Sequence, residues 1–382
     1  MHSRRLVVRI CIVAHFAFGA MNGGADGHSG GVERQTSLMA RWLAGHGHDT
    51  SLITWDEGQA EGLVLDGVRM IKLCRRDEGL PGLRFFHPRW TRLNGALIEA
   101  DADLYYQNCA EYVTGQVAWW CRRYGRRFVY SVASDPDCDP RLPQMHTRRE
   151  RFLYRYGLMH SAKIIVQTRT QQQLLREGFG LDSIPLPMPC PGPSEHDPPR
   201  LSTDPFRVVW VGRIAPVKRL DVLLDAAEAL PGIRFDIAGK ADAAESYTGT
   251  LLERARRVGN VILHGHVGRD RMSEIFRTAS VLCCTSEYEG FPNTFLEAWS
   301  YGVPVVSTVD PDSLLSEKGI GIFAAHPADV VPAILRLQRD KDLFRSVSSN
   351  ARRYFLENHI LDSAMRRFED LFERALSDPE QA

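Results

Sequence analysis

Short apolar runs alternate with stretches of helical period along most of the chain. The first run, Val7–Ala14, predicts a buried strand, and Val32–Ala44 then shows the spacing of an amphipathic helix. Strand and helix in repeated alternation are typical of a parallel sheet with right-handed crossovers, so the first half predicts a Rossmann-like domain. Its further strands are predicted over Thr50–Trp55, Val68–Leu73, Asp103–Gln107, Phe128–Ala133 and Lys163–Gln167, and its helices include Thr114–Tyr124 and Arg148–Met159.

The alternation is interrupted where every second residue from Pro185 to Pro193 is proline. Proline at this density continues neither a helix nor a central strand, so the stretch predicts a stiff, extended connection. We therefore predict a first domain over residues 1–190, a linker over 191–204, a second domain over 205–357 and a last helix within 358–382.

The second half repeats the strand and helix alternation without visible sequence repeat, which predicts a second Rossmann-like domain. Its strands are predicted over Phe206–Arg213, Arg234–Ala238 and Val261–His264. Its helices are predicted over Arg219–Ala229, Glu245–Val258, Arg271–Thr278, Ala328–Leu337, Leu343–Glu357 and Ser363–Leu376.

The most informative stretch follows a further apolar run, Val281–Cys284, which predicts a buried strand. A Gly-Phe-Pro turn leads into a helix that we expect Asn293 or Thr294 to cap and Gly302 to end. Open α/β sheets bind ligands at the carboxyl ends of their strands, and a helix start offers N–H groups to an anion.

Two carboxylates flank this strand-loop-helix unit, Glu289 in the loop and Glu297 about one turn into the helix. Together with Glu-Gly-Phe, Leu-Glu-Ala and Gly-x-Pro-Val-Val, they resemble the Glu-x7-Glu signature of the retaining, nucleotide-sugar-dependent glycosyltransferases of family 4 (group 1). The resemblance implies the GT-B fold: two Rossmann-like, doubly wound parallel-sheet domains that face each other across a cleft. The alternative is a solvated acidic loop followed by a glutamate on a helix surface.

The family resemblance extends to the loop after the first strand of the second half. Gly212-Arg213 and Lys218 resemble the family's Gly-Arg-x4-Lys-Gly phosphate clamp, with Arg219 in place of the last glycine. Cleavage of a nucleotide-sugar places negative charge on the leaving diphosphate, and a guanidinium with an ammonium would stabilise that charge in the transition state. A solvated basic loop is the alternative.

The resemblance also implies a role for each site residue. Glu289 contacts the donor sugar, Arg213 and Lys218 act on the diphosphate, and Glu297 accepts hydrogen bonds from the ribose. The other donor-binding residues are Gly31, in the Gly-Gly-x-Glu-Arg start of the first helix, Gly212, and the backbone N–H groups across Phe291, Pro292, Asn293 and Thr294. His266 lies where relatives hold the base, or is an ordinary loop histidine.

One position departs from the family pattern. Many relatives carry a histidine that faces the reacting sugar where this chain has Ala133, before Ser134 and Asp135. Asp135, Asp137 and Asp139 form an acidic run that either holds Mg²⁺ or positions the acceptor. We favour positioning of the acceptor and expect Asp135 to be a catalytic residue. We expect no metal and no other cofactor, because the nucleotide-sugar is a co-substrate.

Composition limits the remaining classes. The formal net charge is zero, so we expect no nucleic-acid partner, and eight cysteines without a Cys-x-x-Cys pair favour a reduced, cytoplasmic protein. No apolar run is long enough to span a membrane. Clustered arginines could instead attach the protein to the inner face of the plasma membrane, or form an ordinary solvated surface: Arg122, Arg123, Arg126, Arg127, Arg141, Arg148, Arg149, Arg151 and Arg155.

The sequence therefore predicts an enzyme, a glycosyltransferase (a hexosyltransferase) that moves a sugar from a nucleotide-diphosphate-sugar to a glycan or lipid-linked acceptor. The resemblance to the polysaccharide-assembly branch implies a role in cell-surface polysaccharide biosynthesis, with the acceptor in the first domain and the donor in the second. The alternatives are a nucleotide-sugar-binding module without transfer activity and a nucleotide-sugar epimerase of GT-B fold. A dehydrogenase is disfavoured, because Gly-x-Gly-x-x-Gly does not follow the first strand.

Overall fold

The computed structural model describes residues 7–23, 30–193, 204–241 and 246–378. The chain divides into two compact units, one of Met1–Pro189 with Asp362–Ala382 and one of Cys190–Leu361. Most of the predicted linker, and part of the glycine-rich loop after the first strand, lie outside the described residues.

The first unit is built on a sheet of order β3-β4-β2-β1-β5-β6-β7-β8, counted over the described residues. All pairings are parallel except that of β3 with β4. The strands are β1 Arg9–Val13, β2 Asp49–Thr54, β3 Val64–Leu65, β4 Val68–Lys72, β5 Leu104–Asn108, β6 Arg127–Ser131, β7 Lys163–Val166 and β8 Ile184–Pro185.

Helices connect the parallel strands of the first unit. In chain order they are α1 Phe18–Met21, α2 Gly31–Gly45, α3 Thr91–Ala100, α4 Tyr112–Arg123, α5 Arg148–Met159 and α6 Arg169–Phe179, with a helical turn at Phe85–Trp90 and a 3-10 turn at Asp135–Cys138. α4 and α5 approach closely because both carry glycine at the contact. A Cβ on Gly115 would lie 2.1 Å from the Leu153 carbonyl oxygen.

The last helix, α14 (Leu361–Ser377), belongs to the first unit from Asp362 onward. Its Phe372 ring lies 5.7 Å from the ring of Tyr106 in β5. Its Glu369 lies 3.0 Å from Nε2 of His48, and both side chains are buried. Apolar packing and a buried polar contact thus attach the C-terminal helix to the sheet of the first unit.

The second unit is built on a parallel sheet of order β11-β10-β9-β12-β13-β14 over its described residues. The strands are β9 Arg207–Val211, β10 Arg234–Ala238, β11 Val261–Gly265, β12 Val281–Cys284, β13 Val305–Ser307 and β14 Gly321–Phe323. The helices are α7 Leu220–Ala229, α8 Ser246–Arg257, α9 Arg269–Thr278, α10 Asn293–Ser300, α11 Leu314–Lys318, α12 Val330–Arg339 and α13 Lys341–Asn358.

The predicted pair of parallel α/β domains is confirmed, and the strand order defines where each sheet binds ligands. In each sheet the strand order reverses beside the first strand, between β1 and β5 in the first unit and between β9 and β12 in the second. Ligands of doubly wound sheets bind outside the carboxyl ends of the strands at such a switch point. The residues that follow these four strands are therefore the candidates for chemistry.

One local prediction was wrong, the N-cap of α10, and the structure adds detail to two others. The proline-rich stretch begins with an edge strand, because Ile184–Pro185 pairs with β7, where proline costs no ladder hydrogen bond on the open side. The N-cap of α10 is Pro292, without a side-chain cap, and Asn293 is the first helical residue. Of the clustered arginines, Arg126 pairs with Asp101 and Asp103, and the exposed members include Arg122, Arg123, Arg148, Arg149 and Arg155.

None of the helices in the described part of the chain is long and apolar enough to cross a membrane.

Candidate active site

The switch point of the second unit carries an ion pair between two predicted site residues. The ammonium of Lys218, beyond the end of β9, donates to Oε1 of Glu289, beyond the end of β12. Their side chains are 23% and 17% exposed, so the pair is partly shielded from water. Ser286 Oγ donates a second hydrogen bond to the same oxygen at 2.6 Å. The fold thus brings together two residues that are 71 positions apart.

The backbone around Lys218 is bound to the loop that carries Glu289. Thr285 Oγ1 donates to the Lys218 carbonyl at 2.8 Å, and Glu287 N donates to the Val217 carbonyl at 2.8 Å. Thr285 in turn accepts from Nε1 of the buried Trp210 at 3.1 Å. These hydrogen bonds set the position of the cation and of the carboxylate, and the sequence motifs gave no signal for them.

Arg219 stands where the family pattern has glycine, and the backbone explains that preference. Its φ of 46° and ψ of 54° lie in the left-handed region, which glycine adopts without steric cost. Arg219 ends the 3-10 turn Pro216–Lys218 and begins α7. The turn that presents Lys218 therefore forms without the glycine, at a local conformational cost.

The start of α10 lies just after Glu289 in the chain. Of the four residues predicted to supply N–H groups, Pro292 has none, so Phe291, Asn293 and Thr294 carry the amide hydrogens. The Phe291 side chain is buried against Trp299, with ring centroids 6.1 Å apart. The residue thus anchors the loop through its ring, and its predicted contact with the donor is restricted to its backbone.

The opposite end of α10 is held by α13. Arg352 Nη1 donates to the Ser300 carbonyl, and Ser348 Oγ donates to the Gly302 carbonyl at 2.5 Å. Burial lowers the pKa of Arg352. A cation at the C-terminus of a helix stabilises the helix dipole, whose positive end lies at the predicted diphosphate site. Gly302 has φ 70°, as expected for the residue that ends a helix.

Glycines make close backbone approaches at the ends of β9 and β10. A Cβ on Gly239 would lie 1.8 Å from the Gly212 carbonyl oxygen, and one on Gly212 would lie 3.2 Å from the Trp210 ring. Gly212 was predicted from its motif, whereas Gly239 was missed, although a glycine directly after the strand Arg234–Ala238 was the available signal.

The remaining donor-site predictions lie in four places. Arg213 is exposed after β9 and forms no ion pair with a described residue, and His266 is exposed after β11. Glu297 is half-buried within α10. Gly31 is the first residue of α2 in the first unit. The positions of these residues do not identify a ligand, so their roles stay predictions.

The acidic run of the first unit is engaged in local hydrogen bonds. Asp135 accepts from Gln171 Nε2 at 3.0 Å, and Asp139 pairs with Arg141 at 2.7 Å. Asp137 is buried and accepts from the backbone N–H groups of Ala133 and Ser134, both at 3.1 Å. Burial raises the pKa of Asp137 to about 6.

Asp137 thus stabilises the 3-10 turn after β6, and Asp139 stabilises the C-terminal end of that turn. Asp135 is the one of the three that contacts Gln171 in α6. Within the described ranges, no three His, Cys, Asp or Glu side chains are grouped so that they could hold a metal ion.

Two family matches cover most of the chain. Residues 205–340 match the family described as glycosyl transferases group 1, and residues 30–192 match the glycosyl transferase 4-like domain. The chain belongs to the group 1 glycosyltransferases. It is an enzyme of GT-B fold, and the expected family is confirmed.

Curated relatives include two D-inositol 3-phosphate glycosyltransferases. The one from Mycolicibacterium smegmatis is 31% identical over 160 residues, which are 38% of this chain and 37% of the relative. The one from Rhodococcus erythropolis is 25% identical over 322 residues, 74% of this chain and 71% of the relative. The glycosyltransferase thus spans about a third of the first relative's length and somewhat more than two thirds of the second's.

Among solved structures, Anabaena Alr3699/HepE in complex with UDP and glucose matches with a TM-score of 0.75 and 17% identity. The match covers 96% of this chain and 100% of that one. At this identity the likeness shows the fold of the glycosyltransferase and nothing more specific.

Proposed function

We propose that the enzyme transfers a sugar, with retention of the anomeric configuration, from a nucleotide-diphosphate-sugar to a glycan or lipid-linked acceptor in cell-surface polysaccharide biosynthesis. The observation that carries this proposal is the pair of Lys218 with Glu289 at the switch point of the second unit. A cation and an anion side by side match a donor with a charged diphosphate and a hydroxyl-rich sugar. The Anabaena protein of the same fold was solved with UDP and glucose.

The pair divides the work of the reaction. Lys218 and Arg213 stabilise the charge that develops on the leaving diphosphate, together with the N-terminus of α10. Glu289 accepts hydrogen bonds from the sugar hydroxyls, and Ser286 holds its carboxylate in position through the 2.6 Å hydrogen bond. Glu297 binds the ribose. The leaving diphosphate takes the proton of the acceptor hydroxyl, so the reaction requires neither a protein base nor a metal ion.

Anomeric stereochemistry tests the reaction. The full chain is first screened against nucleotide-sugars by thermal shift, and the selected α-linked donor is then incubated with methyl glycosides and myo-inositol. We expect proton NMR to show an α-linked product, and excess EDTA to leave the rate unchanged. A β-linked product, or a rate that requires added Mg²⁺ or Mn²⁺, would overturn this proposal. Binding of the donor without any transfer would favour a binding module, and a changed sugar in the recovered donor an epimerase.

A second proposal concerns the acceptor side: the enzyme binds the anionic inner surface of the plasma membrane through one face of the first unit. Phe86, Trp119 and Phe152 are 56%, 43% and 67% exposed. The Trp90 ring links Phe86 and Trp119, at centroid distances of 6.5 and 6.2 Å.

Exposed arginines accompany these rings on the same elements: Arg122, Arg123, Arg148, Arg149 and Arg155. Aromatic side chains with basic neighbours suit the headgroup region of an anionic bilayer. We expect the enzyme to sediment with vesicles that contain phosphatidylglycerol and not with neutral phosphatidylcholine vesicles. Retained sedimentation of a Phe86→Ser, Phe152→Ser double variant would contradict the assignment of this face.

A further inference from the structure

The switch point of the first unit carries a second polar pair that no sequence motif indicated. His15 follows β1 and Glu111 follows β5, so the two residues occupy in this sheet the places that Lys218 and Glu289 occupy in the other. His15 Nδ1 lies 3.3 Å from Glu111 Oε2. His15 is buried, with 6% of its surface exposed.

Neighbouring strands hold the imidazole in place. The N–H of Trp55, beyond the end of β2, donates to the His15 carbonyl at 2.8 Å, and the two rings pack at a tilt of 31° with centroids 4.3 Å apart. The guanidinium carbon of Arg89 lies 5.7 Å from the centroid of the Trp55 ring. Arg89 Nη2 donates to the Arg76 carbonyl at 2.8 Å. His15, Trp55 and Arg89 thus form one contiguous cluster.

Glu111 is itself fixed in position. It is the N-cap of α4, where the helix dipole favours a carboxylate. The preceding loop contains Cys109 with φ 85°, a conformation that a non-glycine residue adopts only under local constraint. Gln107 Nε2 imposes that constraint by donating to the Cys109 carbonyl at 2.7 Å. Strain of this kind accumulates at ligand-binding sites.

Three buried polar atoms of the cluster have no hydrogen-bond partner among the described residues: His15 Nε2, Trp55 Nε1 and Arg89 Nε. A carboxylate can only accept, so the proximity of Glu111 calls for a hydrogen on Nδ1, and the neutral form of the imidazole then carries its lone pair on Nε2. Indole and guanidinium nitrogens can only donate. The cluster therefore offers one acceptor and two donors, and nearly all buried polar groups in proteins are hydrogen-bonded.

We infer that His15, Trp55 and Arg89 form a hydroxyl-binding subsite for the acceptor, a sugar or cyclitol, and that Glu111 is a positioning residue. A hydroxyl group both donates and accepts, so adjacent ring hydroxyls satisfy all three atoms. A phosphate would satisfy only the two donors and would lie beside a carboxylate. This inference rests on the proposed function, because it names the residues that recognise the acceptor of that reaction.

The subsite also places an imidazole at the sheet edge where many relatives carry a histidine. Ala133 follows β6, and β1 is separated from β6 only by β5 in the sheet. His15 thus supplies an imidazole at the same edge of the same sheet from a different strand.

Saturation-transfer NMR of the full chain with methyl α-D-glucopyranoside, methyl α-D-mannopyranoside and myo-inositol tests the subsite without any turnover. We expect a signal for at least one probe, at least about fivefold weaker binding in His15→Asn, and retention in His15→Gln, whose amide can place an acceptor near Nε2. Trp55→Phe removes the indole N–H donor and keeps an aromatic ring at this position, so it should also weaken probe binding. Arg345→Ala, at an exposed position of α13 in the second unit, is the control and should bind as the wild type does.

Glu111 is tested by a conservative rescue. Glu111→Gln still accepts from Nδ1–H and should retain probe binding, whereas Glu111→Ala should lose it. An absent signal in the wild type, or unchanged binding in both His15→Asn and Trp55→Phe, would overturn the inference. Probe binding through His15 without any transfer would sink the proposed reaction and leave the subsite standing, so the two failures are distinguishable.

Discussion

Neutralising Glu289 should strengthen the binding of a nucleoside diphosphate, although Glu289 is assigned to the active site. In the free enzyme the Lys218 ammonium is held by the Glu289 carboxylate, and a diphosphate must compete for it. Glu289→Gln removes the charge and keeps the size of the side chain. Ser286 can still donate to the amide oxygen, so the loop should keep its conformation. The variant therefore releases the cation while it retains the architecture.

The magnitude follows from the burial of the pair. Side chains that are 23% and 17% exposed lie between a surface ion pair and a fully buried one. A surface pair contributes up to about 1 kcal/mol and a charge-assisted hydrogen bond about 1.5–3 kcal/mol, so release of Lys218 is worth roughly 1.5 kcal/mol. That energy corresponds to about tenfold in affinity. Lys218→Met should weaken the same binding at least about tenfold, and the double variant should behave as Lys218→Met does.

Titration calorimetry with the nucleoside diphosphate selected by thermal shift measures these three variants against the wild type. Glu287→Gln is the matched control, since its side chain is exposed and should leave the affinity unchanged. With the complete nucleotide-sugar, Glu289→Gln should gain little affinity, because the lost sugar contact offsets the gain, and its turnover should fall. The reasoning is refuted if Glu289→Gln weakens diphosphate binding, or if the effects of the two substitutions are additive.

Three further predictions follow from single positions. Arg219→Gly should change the free energy of unfolding, measured by urea titration, by less than about 1 kcal/mol. The relief of strain in the left-handed backbone offsets the extra conformational freedom that glycine gives the unfolded chain. Arg219→Val should destabilise the protein more in the same titration. Arg352→Met removes the cation from the C-terminal end of α10, so it should lower the free energy of unfolding by about 1–2 kcal/mol and weaken donor binding. An unchanged free energy of unfolding would show that the contact with Ser300 contributes nothing to stability. Burial holds the pKa of Asp137 at about 6, above its unfolded value, so its stabilising contribution is complete below about pH 4 and is lost as the pH rises through 6. Asp137→Asn should therefore flatten the dependence of unfolding free energy on pH by at most about 3 kcal/mol between pH 4 and 7, and an equally steep profile would contradict the role of this carboxyl group.

The sequence by itself determined the two-domain α/β architecture, because strand and helix periods depend on local spacing and the apolar faces repeat along the whole chain. It also predicted which loops carry the chemistry. Glu289 and Glu297 lie in one strand-loop-helix unit, and Arg213 and Lys218 lie in one loop, so short-range patterns were sufficient to find them. Element bounds were predicted to within about two residues for most strands, since apolar runs end where the chain reaches the sheet edge.

Only the tertiary structure decided which of these groups meet. The contact of Lys218 with Glu289 depends on the adjacency of β9 and β12, and that of His15 with Glu111 on the adjacency of β1 and β5, neither of which is local in sequence. The left-handed backbone of Arg219 and the N-cap of α10 at Pro292 likewise depart from residue preference. Sheet order places distant loops side by side, and the chemistry of a doubly wound fold depends on that order.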